Sequence, residues 1–311
     1  MKTKIDIVIV NWNAGPNLRA CIRSIAQYED GLVGKIIVVD NGSTDGSEAC
    51  VEGLPGVILL RAGTNLGFGK ACNLGAQESK SQYLLFLNPD TRLFADSLIV
   101  PFAYLQRSEH ANIGICGIQM LDGHGHISRT CARFPSVVGF AVHALGLNKL
   151  HGLRACSHRM EEWDHSTTRE VDQVIGAFFL IRRSLFDLLG GFDERFFVYY
   201  EEVDLCYRAS EAGWRSVYLA GAQAFHAGGA SSGHVKAERL FYSLRSRLLY
   251  GFKHFSTFRR WLLVVVTLVI EPFSRSIFSL LRGGMSDIRN TLRGYGMLCK
   301  ALPAILGGKQ P

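Results

Sequence analysis

The chain has 311 residues, of which 48% are hydrophobic and 20% are charged, so it is neither disordered nor too short for a large core. Its net charge of +7 is uneven: residues 236–311 carry 13 Lys and Arg against 3 Asp and Glu, and residues 1–235 carry 21 against 24. A basic segment of this kind suggests nucleic acid or an anionic membrane as a partner. The apolar runs inside the same segment favour a membrane over nucleic acid.

The eight cysteines form no CxxC pair and no regular spacing. This pattern argues against a zinc site and against a disulfide framework. Residues 1–4 lead directly into an apolar run, without the pattern of a secretory signal peptide. We therefore expect a reducing, cytosolic setting.

Short apolar runs alternate with amphipathic segments along the first 120 residues. The runs predict buried strands over Ile5–Val10, Ile36–Val39, Val57–Leu60, Tyr83–Leu87 and Ile113–Gln119. Helices are predicted at about 17–25, from an N-cap at Ser43 or Thr44 to Val51, around 71–75, and at about 95–107. Strands and helices that alternate through short connections predict a doubly wound parallel sheet.

The second half is less regular. Residues 122–170 are expected to be loop-rich, and a long irregular segment inside a compact domain is usually functional. One strand is predicted from Val171 through the following apolar run, and a short helix over Ser184–Leu189 then stops at two glycines. A helix from about Tyr199 to Gly213 and a last strand over Ser216–Leu219 follow, and a loop then carries His226.

Polar residues follow four of the predicted strands. They are Asn11 and Asn13, then Asp40, Asn41 and Asp45, then Arg61 and Asn65, and finally Asn88 and Asp90. Because the carboxyl ends of parallel strands lie at one edge of a sheet, we expect these residues to line one crevice. Asp90, after the Asn88-Pro89 turn, is suited either to hold a divalent cation against a phosphate or to cap the next helix. Asp40 can accept a hydrogen bond from the N–H of a pyrimidine base.

The loop before the third predicted helix is rich in glycine. Gly67 and Gly69 allow the backbone to approach a diphosphate, and Lys70 can neutralise it. The spacing is neither GxGxxG nor that of a P-loop, which disfavours a dinucleotide-binding fold and a P-loop ATPase.

Three carboxylates, Glu201, Glu202 and Asp204, fall within four positions at a predicted helix start. They either complement the helix dipole or supply a general base whose pKa is adjusted by burial and by like charges. His226 is either a metal ligand through its neutral imidazole or a solvated loop residue.

Seven segments together resemble one family. They are IVIVNWN, VVDNGSTDGS, NLGFGKACN, LLFLNPD, GAFFLIRRSLFDLLGGFDERFF, YYEEVDLCYRASEAGWR and HAGGAS, and they cover about three quarters of the chain, from Ile5 to Ser231. The chain resembles a family 2 glycosyltransferase with the GT-A fold, of the rhamnosyltransferase-like branch. The resemblance implies a mostly parallel sheet with helices on both faces.

The resemblance also implies a donor site. Asp40 would contact the nucleotide base, and Asn65, Gly67 and Asn73 would border the donor. The full set expected to bind the donor is Asn11, Asp40, Asn41, Asn65, Gly67, Lys70, Asn73, Asn88 and Gly176. In one departure from the branch, Gln173 stands beside the Gly176 floor where Trp is common.

For the reacting centre, the resemblance places Asp90 on the last Asp of the Asp-x-Asp metal motif, with Asn88 in place of the first acid. His226 matches the late histidine of the metal shell, so Asp90 and His226 are the expected ligands of Mg²⁺ or Mn²⁺. Glu202 stands where the family has its catalytic Asp, with Asp204 and Glu201 as alternates.

These assignments imply a single inverting displacement, in which rhamnose moves from dTDP-rhamnose to a cell-surface glycan or polyprenyl-linked acceptor. One alternative is transfer of another hexose from a UDP- or GDP-sugar. A nucleotidyltransferase is disfavoured, since no glycine-rich basic loop follows the first strand. A membrane-bound glycan-binding scaffold is the alternative that is not an enzyme.

The predicted organisation is a catalytic domain over residues 1–235 and a basic helical region over 236–311. Within the domain, residues 1–120 would bind the nucleotide sugar, and residues 121–235 would carry the base and the acceptor side. The run Trp261–Ile270 is shorter than the roughly 20 residues of a membrane span. Joining it to Ile277–Leu281 would bury Glu271, at roughly 2.5–3.5 kcal/mol for a charge at the bilayer centre. We therefore expect a peripheral enzyme on the cytoplasmic membrane face.

Overall fold

The computed structural model describes residues 4–28, 31–147, 158, 160, 162–228, 236–281 and 285–307. The chain forms two compact units. The first comprises Met1–Ala132, Trp163–Glu194 and Glu201–Ser231, and the second comprises Arg133–Glu162, Arg195–Tyr200 and Ser232–Pro311. The functional division at residue 235 stays a prediction.

The first unit contains a mixed sheet of ten strands, a separate sheet formed by the eighth and tenth strands, and the helices that cover the larger sheet. Its strands are β1 (Ile5–Asn11), β2 (Val33–Asp40), β3 (Val57–Arg61), β4 (Tyr83–Leu87), β5 (Thr91–Leu93), β6 (Ile113–Leu121), β7 (Ile127–Ser128), β8 (Cys131–Ala132), β9 (Arg169–Val171), β10 (Gln173–Val174), β11 (Phe178–Arg182) and β12 (Arg215–His226). Its helices are α1 (Pro16–Tyr28), α2 (Phe68–Gln77) and α3 (Asp96–Gln106), followed in the second half by α5 (Arg183–Leu188) and α6 (Glu201–Glu211).

The strand order is β3-β2-β1-β4-β11-β6-β12-β5, with β7 beside β6 and β9 beside β12. Strands β3, β2, β1 and β4 are parallel to one another, and β12 is parallel to β6. Strand β11 lies antiparallel between β4 and β6, and β5 is antiparallel to β12. Six of these eight strands therefore run in one direction, and the predicted mostly parallel sheet is confirmed.

Helices pack on both faces of the sheet, as predicted. On one face, Ile5, Ile7 and Ile9 of β1 share a core with Leu18 and Ile25 of α1. Alternation along the strand sends Val8 to the other face, where α2 packs. A Cβ added to Gly75 of α2 would lie only 2.5 Å from a methyl group of Val8, so glycine allows this close approach.

The regular secondary structure of the second unit, within the described residues, is helical. It contains α4 (Val137–Ala144), α7 (Lys236–His254), α8 (Thr257–Val265), a π-helical turn (Val266–Ile270), α9 (Glu271–Leu281) and α10 (Met285–Leu306). Its core includes Phe140, Leu244, Leu263 and Leu298. Within it, the buried Glu271 carboxylate pairs with Arg247 and with Arg275.

The stretch Thr257–Leu281 is continuous and, by length and composition alone, sufficient to cross a membrane. It differs from the predicted pair of short apolar runs because α8, the π-helical turn and α9 join without a break.

Several local predictions are wrong. Neither Ser43 nor Thr44 caps a helix: a 3₁₀ turn over Ser47–Val51 follows Gly46, whose φ of +70° is left-handed. β12 runs seven residues beyond Leu219 and ends at His226, so this histidine lies on a strand rather than in a loop. The strand predicted from Val171 is divided among β9, β10 and β11, and the loop-rich segment contains helix α4.

Candidate active site

The ends of β1 and β2 are joined by side chains of the first unit. Asn11 is fully buried, and its Nδ2 donates to Asp40 Oδ1 at 3.0 Å and to Ser47 Oγ at 2.9 Å. The backbone N–H of Ser43 also approaches Asp40 Oδ2, at 3.3 Å. Asp40 is 6% exposed, so its carboxylate is fixed from inside the protein. Asn11 therefore positions Asp40 and is itself turned away from solvent.

Asn41 connects the end of β2 to the glycine-rich loop. Its Oδ1 accepts from the N–H of Leu66 at 2.8 Å, and its Nδ2 donates to Asn65 Oδ1 at 3.0 Å and to the Gly67 carbonyl at 3.3 Å. Asn65 Oδ1 also accepts from the N–H of Gly67 at 3.0 Å. Gly67 has a φ of +86°, which favours glycine at this entry to α2. These amides therefore shape the loop.

Asn73 joins α2 to the segment that follows α5. Its Nδ2 donates to the Phe192 carbonyl at 2.8 Å, and its Oδ1 accepts from the Phe192 N–H at 2.9 Å. Glu194, two residues after Phe192, lies 3.2 Å from Asn73 Nδ2 and 3.5 Å from Lys70 Nζ. Lys70 is half exposed, so this ion pair is a weak restraint that leaves its ammonium accessible.

Asp90 and His226 meet beyond the end of β4. Asp90 Oδ1 lies 3.2 Å from His226 Nε2, and the side chains are only 11% and 13% exposed. Asn88 Nδ2 lies 3.5 Å from the same imidazole nitrogen. The pairing of β5 with β12, with Thr91 opposite His226, brings these residues together. Asn88, which stands in place of the first acid of the Asp-x-Asp motif, is thus the third residue of this group.

The donors present fit a divalent metal ion that binds substrate as well as protein. The carboxylate is a hard ligand that suits Mg²⁺ or Mn²⁺, and the neutral imidazole is a borderline ligand that suits Mn²⁺ better than Mg²⁺. Among the described residues no three His, Cys, Asp or Glu side chains form a complete cage. Asp90 and His226 alone would therefore be an incomplete shell, and a metal ion held by them would need further ligands from the substrate.

Glu201 and Glu202 begin α6. Glu201 is 4% exposed and Glu202 is half-buried, and one oxygen of each, Oε2, is buried without a hydrogen-bond partner within the described residues. Burial raises the pKa of Glu201 far above its ordinary value, and the neighbouring Glu202 carboxylate raises it further. Burial likewise raises the pKa of Glu202. A carboxyl group of this kind holds a proton more strongly than an exposed one, as a general base must.

Asp204 has a different environment. It is fully buried, and its Oδ2 lies 2.7 Å from Arg208 Nε, one turn along α6. Arg208 also donates to the carbonyls of Leu189 and Gly191, at 2.6 and 2.8 Å. Asp204 therefore anchors α6 to the preceding loop, which favours Glu202 over Asp204 as the reacting carboxylate.

Gly176 lies beside the aromatic ring of Phe68, which a Cβ at this position would contact at 3.7 Å. Gln173 is buried in β10. The closing residues of the HAGGAS segment, 229–231, lie outside the described residues.

The sequence alone did not single out Ser47, Arg208 and Glu194. Ser47 stands in the polar run after β2, and Arg208 stands four positions after Asp204 on one helix. The spacing of four was the available signal for the Arg208 ion pair. No sequence signal pointed from Glu194 to Asn73.

The profile described as Glycosyl transferase family 2 matches residues 6–190, more than half of the chain. The chain belongs to this family.

Curated relatives of this family 2 protein include rhamnosyltransferases. An N-acetylglucosaminyl-diphospho-decaprenol L-rhamnosyltransferase of Mycobacterium tuberculosis is 32% identical over 253 residues, which cover 77% of this chain and 81% of the relative. Rhamnosyltransferase WbbL of Escherichia coli K12 is 32% identical over 201 residues, or 62% of this chain and 71% of the relative. The predicted membership in the rhamnosyltransferase-like branch is confirmed.

Solved structures show the same fold. Mannosyltransferase PcManGT from Pyrobaculum calidifontis, solved with GDP-Man and Mn²⁺, aligns over 98% of this chain and 76% of its own, with a TM-score of 0.56 and 15% identity. S. aureus TarS 1–349 aligns over 96% and 81%, with a TM-score of 0.55 and 15% identity. The predicted GT-A fold is confirmed, and the chain is a glycosyltransferase.

Proposed function

We propose that this glycosyltransferase moves rhamnose, with inversion, from a nucleotide-sugar donor (dTDP-rhamnose) to a sugar linked to a polyprenyl diphosphate. The observation that carries the proposal is the pair Glu201 and Glu202. Their buried Oε2 atoms have no hydrogen-bond partner in the described part of the chain, whereas the polar residues around the donor loop are bonded to one another. The rhamnosyltransferase names of two relatives support the sugar, and one of these names supports the lipid-linked acceptor.

The role proposed for each residue of the site follows from its environment. Asp40, fixed by Asn11, accepts a hydrogen bond from the nucleotide base. Glu202 removes the proton from the acceptor hydroxyl, because it is more exposed than Glu201 and its pKa is raised by burial. The Glu202 carboxylate in turn raises the pKa of the buried Glu201. Arg208 holds Asp204, and so the first turn of α6, in position.

Asp90 and His226, with Asn88 beside them, would hold Mg²⁺ or Mn²⁺. When bound, such an ion supplies Lewis-acid stabilisation of the departing nucleoside diphosphate. Mn²⁺ in the structure of PcManGT with GDP-Man supports this assignment.

The reaction is tested directly with purified full-length protein, Mn²⁺ and a synthetic N-acetylglucosaminyl diphosphate lipid. With dTDP-rhamnose we expect a product heavier by one deoxyhexose in mass spectrometry. If product forms only with UDP- or GDP-sugars, one of these is the donor instead of dTDP-rhamnose. If no product forms with any sugar nucleotide, the result favours the glycan-binding scaffold. A nucleotidyltransferase would instead release pyrophosphate from a nucleoside triphosphate.

We also propose that the helical unit rests on the cytoplasmic membrane face. One stripe of the stretch Thr257–Leu281 exposes large apolar side chains at spacings of three and four: Phe258, Trp261, Val265, Val269, Phe273 and Ile277. The opposite side is buried at Leu263, Val266 and Glu271. The basic excess of residues 236–311 suits anionic lipid. A helix lying in the membrane–water interface places the apolar stripe against lipid and keeps Glu271 paired inside the protein.

Deleting residues 258–311 would be a poor test, because Leu263 and Leu298 belong to the core of the helical unit. The double variant Trp261→Ser/Phe273→Ser keeps that core and should lose most sedimentation with vesicles containing phosphatidylglycerol. Leu188→Ser, an exposed leucine of the first unit, is the matched control. If carbonate extracts none of the wild-type protein from membranes, and protease reaches a C-terminal tag only from outside, the segment spans the membrane.

A further inference from the structure

A groove of about 460 Å³ lies between α1 and β5 in the first unit. Its walls include three arginines, Arg19 and Arg23 of α1 and Arg92 of β5. The other lining residues are polar or apolar, and none is acidic: Pro16, Ala20, Ser24, Gln27, Tyr28, Leu93 and Phe94. The groove thus carries three positive charges without a negative one.

The arginines are not neutralised by the protein. Arg19 and Arg23 are exposed and one helical turn apart, a spacing at which like charges repel. Within the described part of the chain, neither these two nor Arg92 forms an ion pair with a carboxylate. An anion in the groove would remove this repulsion, and guanidinium groups suit phosphate oxygens because they donate two parallel hydrogen bonds.

Arg92 connects the groove to the reacting centre. It follows Asp90 by two residues and lies opposite Phe225, while Thr91 lies opposite His226. The Arg92 guanidinium rests 4.4 Å from the centre of the Phe225 ring, which fixes its position. Arg92 lies two residues from Asp90 along the chain, a backbone separation of about 7 Å at roughly 3.3 Å per strand residue.

We infer that this groove binds the diphosphate of the lipid-linked acceptor. The diphosphate of such an acceptor, esterified at both ends, carries two negative charges, which the three guanidinium groups can neutralise. The exposed ring of Phe94 offers apolar contact to the first isoprene unit. The inference rests on the proposed function for the identity of the acceptor, and it assigns Arg19, Arg23 and Arg92 to acceptor binding rather than to donor binding.

The test measures binding of farnesyl diphosphate, a soluble polyprenyl diphosphate, to the full chain by calorimetry. EDTA removes metal-dependent binding of the diphosphate at Asp90 and His226. We expect Arg19→Ala/Arg23→Ala and Arg92→Ala each to weaken binding by about tenfold or more, the effect of losing one charge-assisted contact. Arg215→Ala, an exposed arginine at the start of β12, should bind as wild type does. Farnesol, which lacks the diphosphate, should not discriminate among the variants.

Equal affinity of wild type and the groove variants, or no binding of farnesyl diphosphate by wild type, overturns the inference. The bound phosphate belongs either to the diphosphate of the acceptor or to a lipid headgroup. Binding to vesicles of phosphatidylcholine with phosphatidylglycerol distinguishes these two sources. If the groove variants lose vesicle binding but keep farnesyl diphosphate, the groove binds lipid headgroups and the inference fails. Since no donor or turnover is involved, absence of rhamnosyl transfer would defeat the proposed function and leave this result standing.

Discussion

Two parts of the first unit differ in whether their buried polar side chains are hydrogen-bonded within the described residues. At the ends of β1 and β2, Asn11 and Asn41 use both ends of their amides to hold Asp40 and the glycine-rich loop. At the start of α6, Glu201 and Glu202 each keep a buried oxygen without a partner in the described residues. The first arrangement stabilises a shape. The second is unfavourable for folding, and such groups concentrate where chemistry needs them.

This difference in hydrogen bonding distinguishes positioning residues from reacting ones. A bonded amide should affect stability when it is removed, because its former partners stay buried and unpaired. An unpaired carboxylate should affect turnover and leave the fold unharmed. Four substitutions test this distinction, and they are given in order of expected effect.

Asp90→Ala should have the largest effect. Losing the carboxylate of the partial metal shell should lower kcat by roughly a thousandfold, because several kcal/mol of leaving-group stabilisation are lost. EDTA should do the same to wild type, and excess Mn²⁺ should restore it. The melting temperature should change little, since Asp90 bonds mainly to His226. Full turnover in EDTA would remove the metal from the proposed function.

Glu202→Gln should lower kcat by roughly a hundredfold or more, because the amide is nearly isosteric but cannot accept a proton. Donor binding, measured by calorimetry, should be unchanged. Asp187→Asn, an exposed carboxylate on α5, serves as the control. If Glu202→Gln is active and Glu201→Gln is not, the base is the first residue of the pair.

Asn41→Ala should lower the free energy of unfolding by about 2–3 kcal/mol, since it leaves the N–H of Leu66 without its buried acceptor. Urea denaturation measures this change, and Asn112→Ala, on the exposed surface, should be near neutral. A stable Asn41→Ala variant with normal donor affinity would show that the loop does not depend on this amide.

Glu201→Gln should have the smallest effect at acid pH, because it acts on the pH dependence of stability. The folded-state pKa of Glu201 is raised by burial and by Glu202, so the folded protein binds a proton that the unfolded chain releases. Wild-type stability should therefore fall as pH rises above the ordinary pKa of about 4.5, by up to about 1.4 kcal/mol per pH unit. The slope should be smaller in Glu201→Gln. Equal slopes from urea denaturation at pH 5 to 8 would contradict the raised pKa.

The sequence predicted the parallel half of the sheet and the position of Asp90, because β4 is a short apolar run that ends at an Asn-Pro turn. It did not predict the antiparallel insertion of β11, since apolar periodicity carries no strand direction. Helix α4 was missed because its residues, VVGFAVHA, include β-branched side chains that favour strands.

For the site, the sequence identified residue types but not their orientation. Asn11 and Asp40 were both expected at the donor, yet the Asn11 side chain points to Asp40 and Ser47 inside the protein. An asparagine can bond inward or outward with equal chemistry, so only the packing around it decides. The roles of Glu202, Asp90 and His226 remain predictions.

The place of β11 has a consequence for synthesis on the ribosome. One edge of β4 pairs with β1, which is made earlier, but the other edge waits for β11, whose Leu180 lies opposite Leu85. At roughly 5–20 residues per second, this apolar edge stays open for roughly 5–20 s of translation. An exposed strand edge of this kind attracts other chains. We therefore expect nascent chains stalled before residue 178 to aggregate or to recruit chaperones, and chains that extend past β11 to escape both.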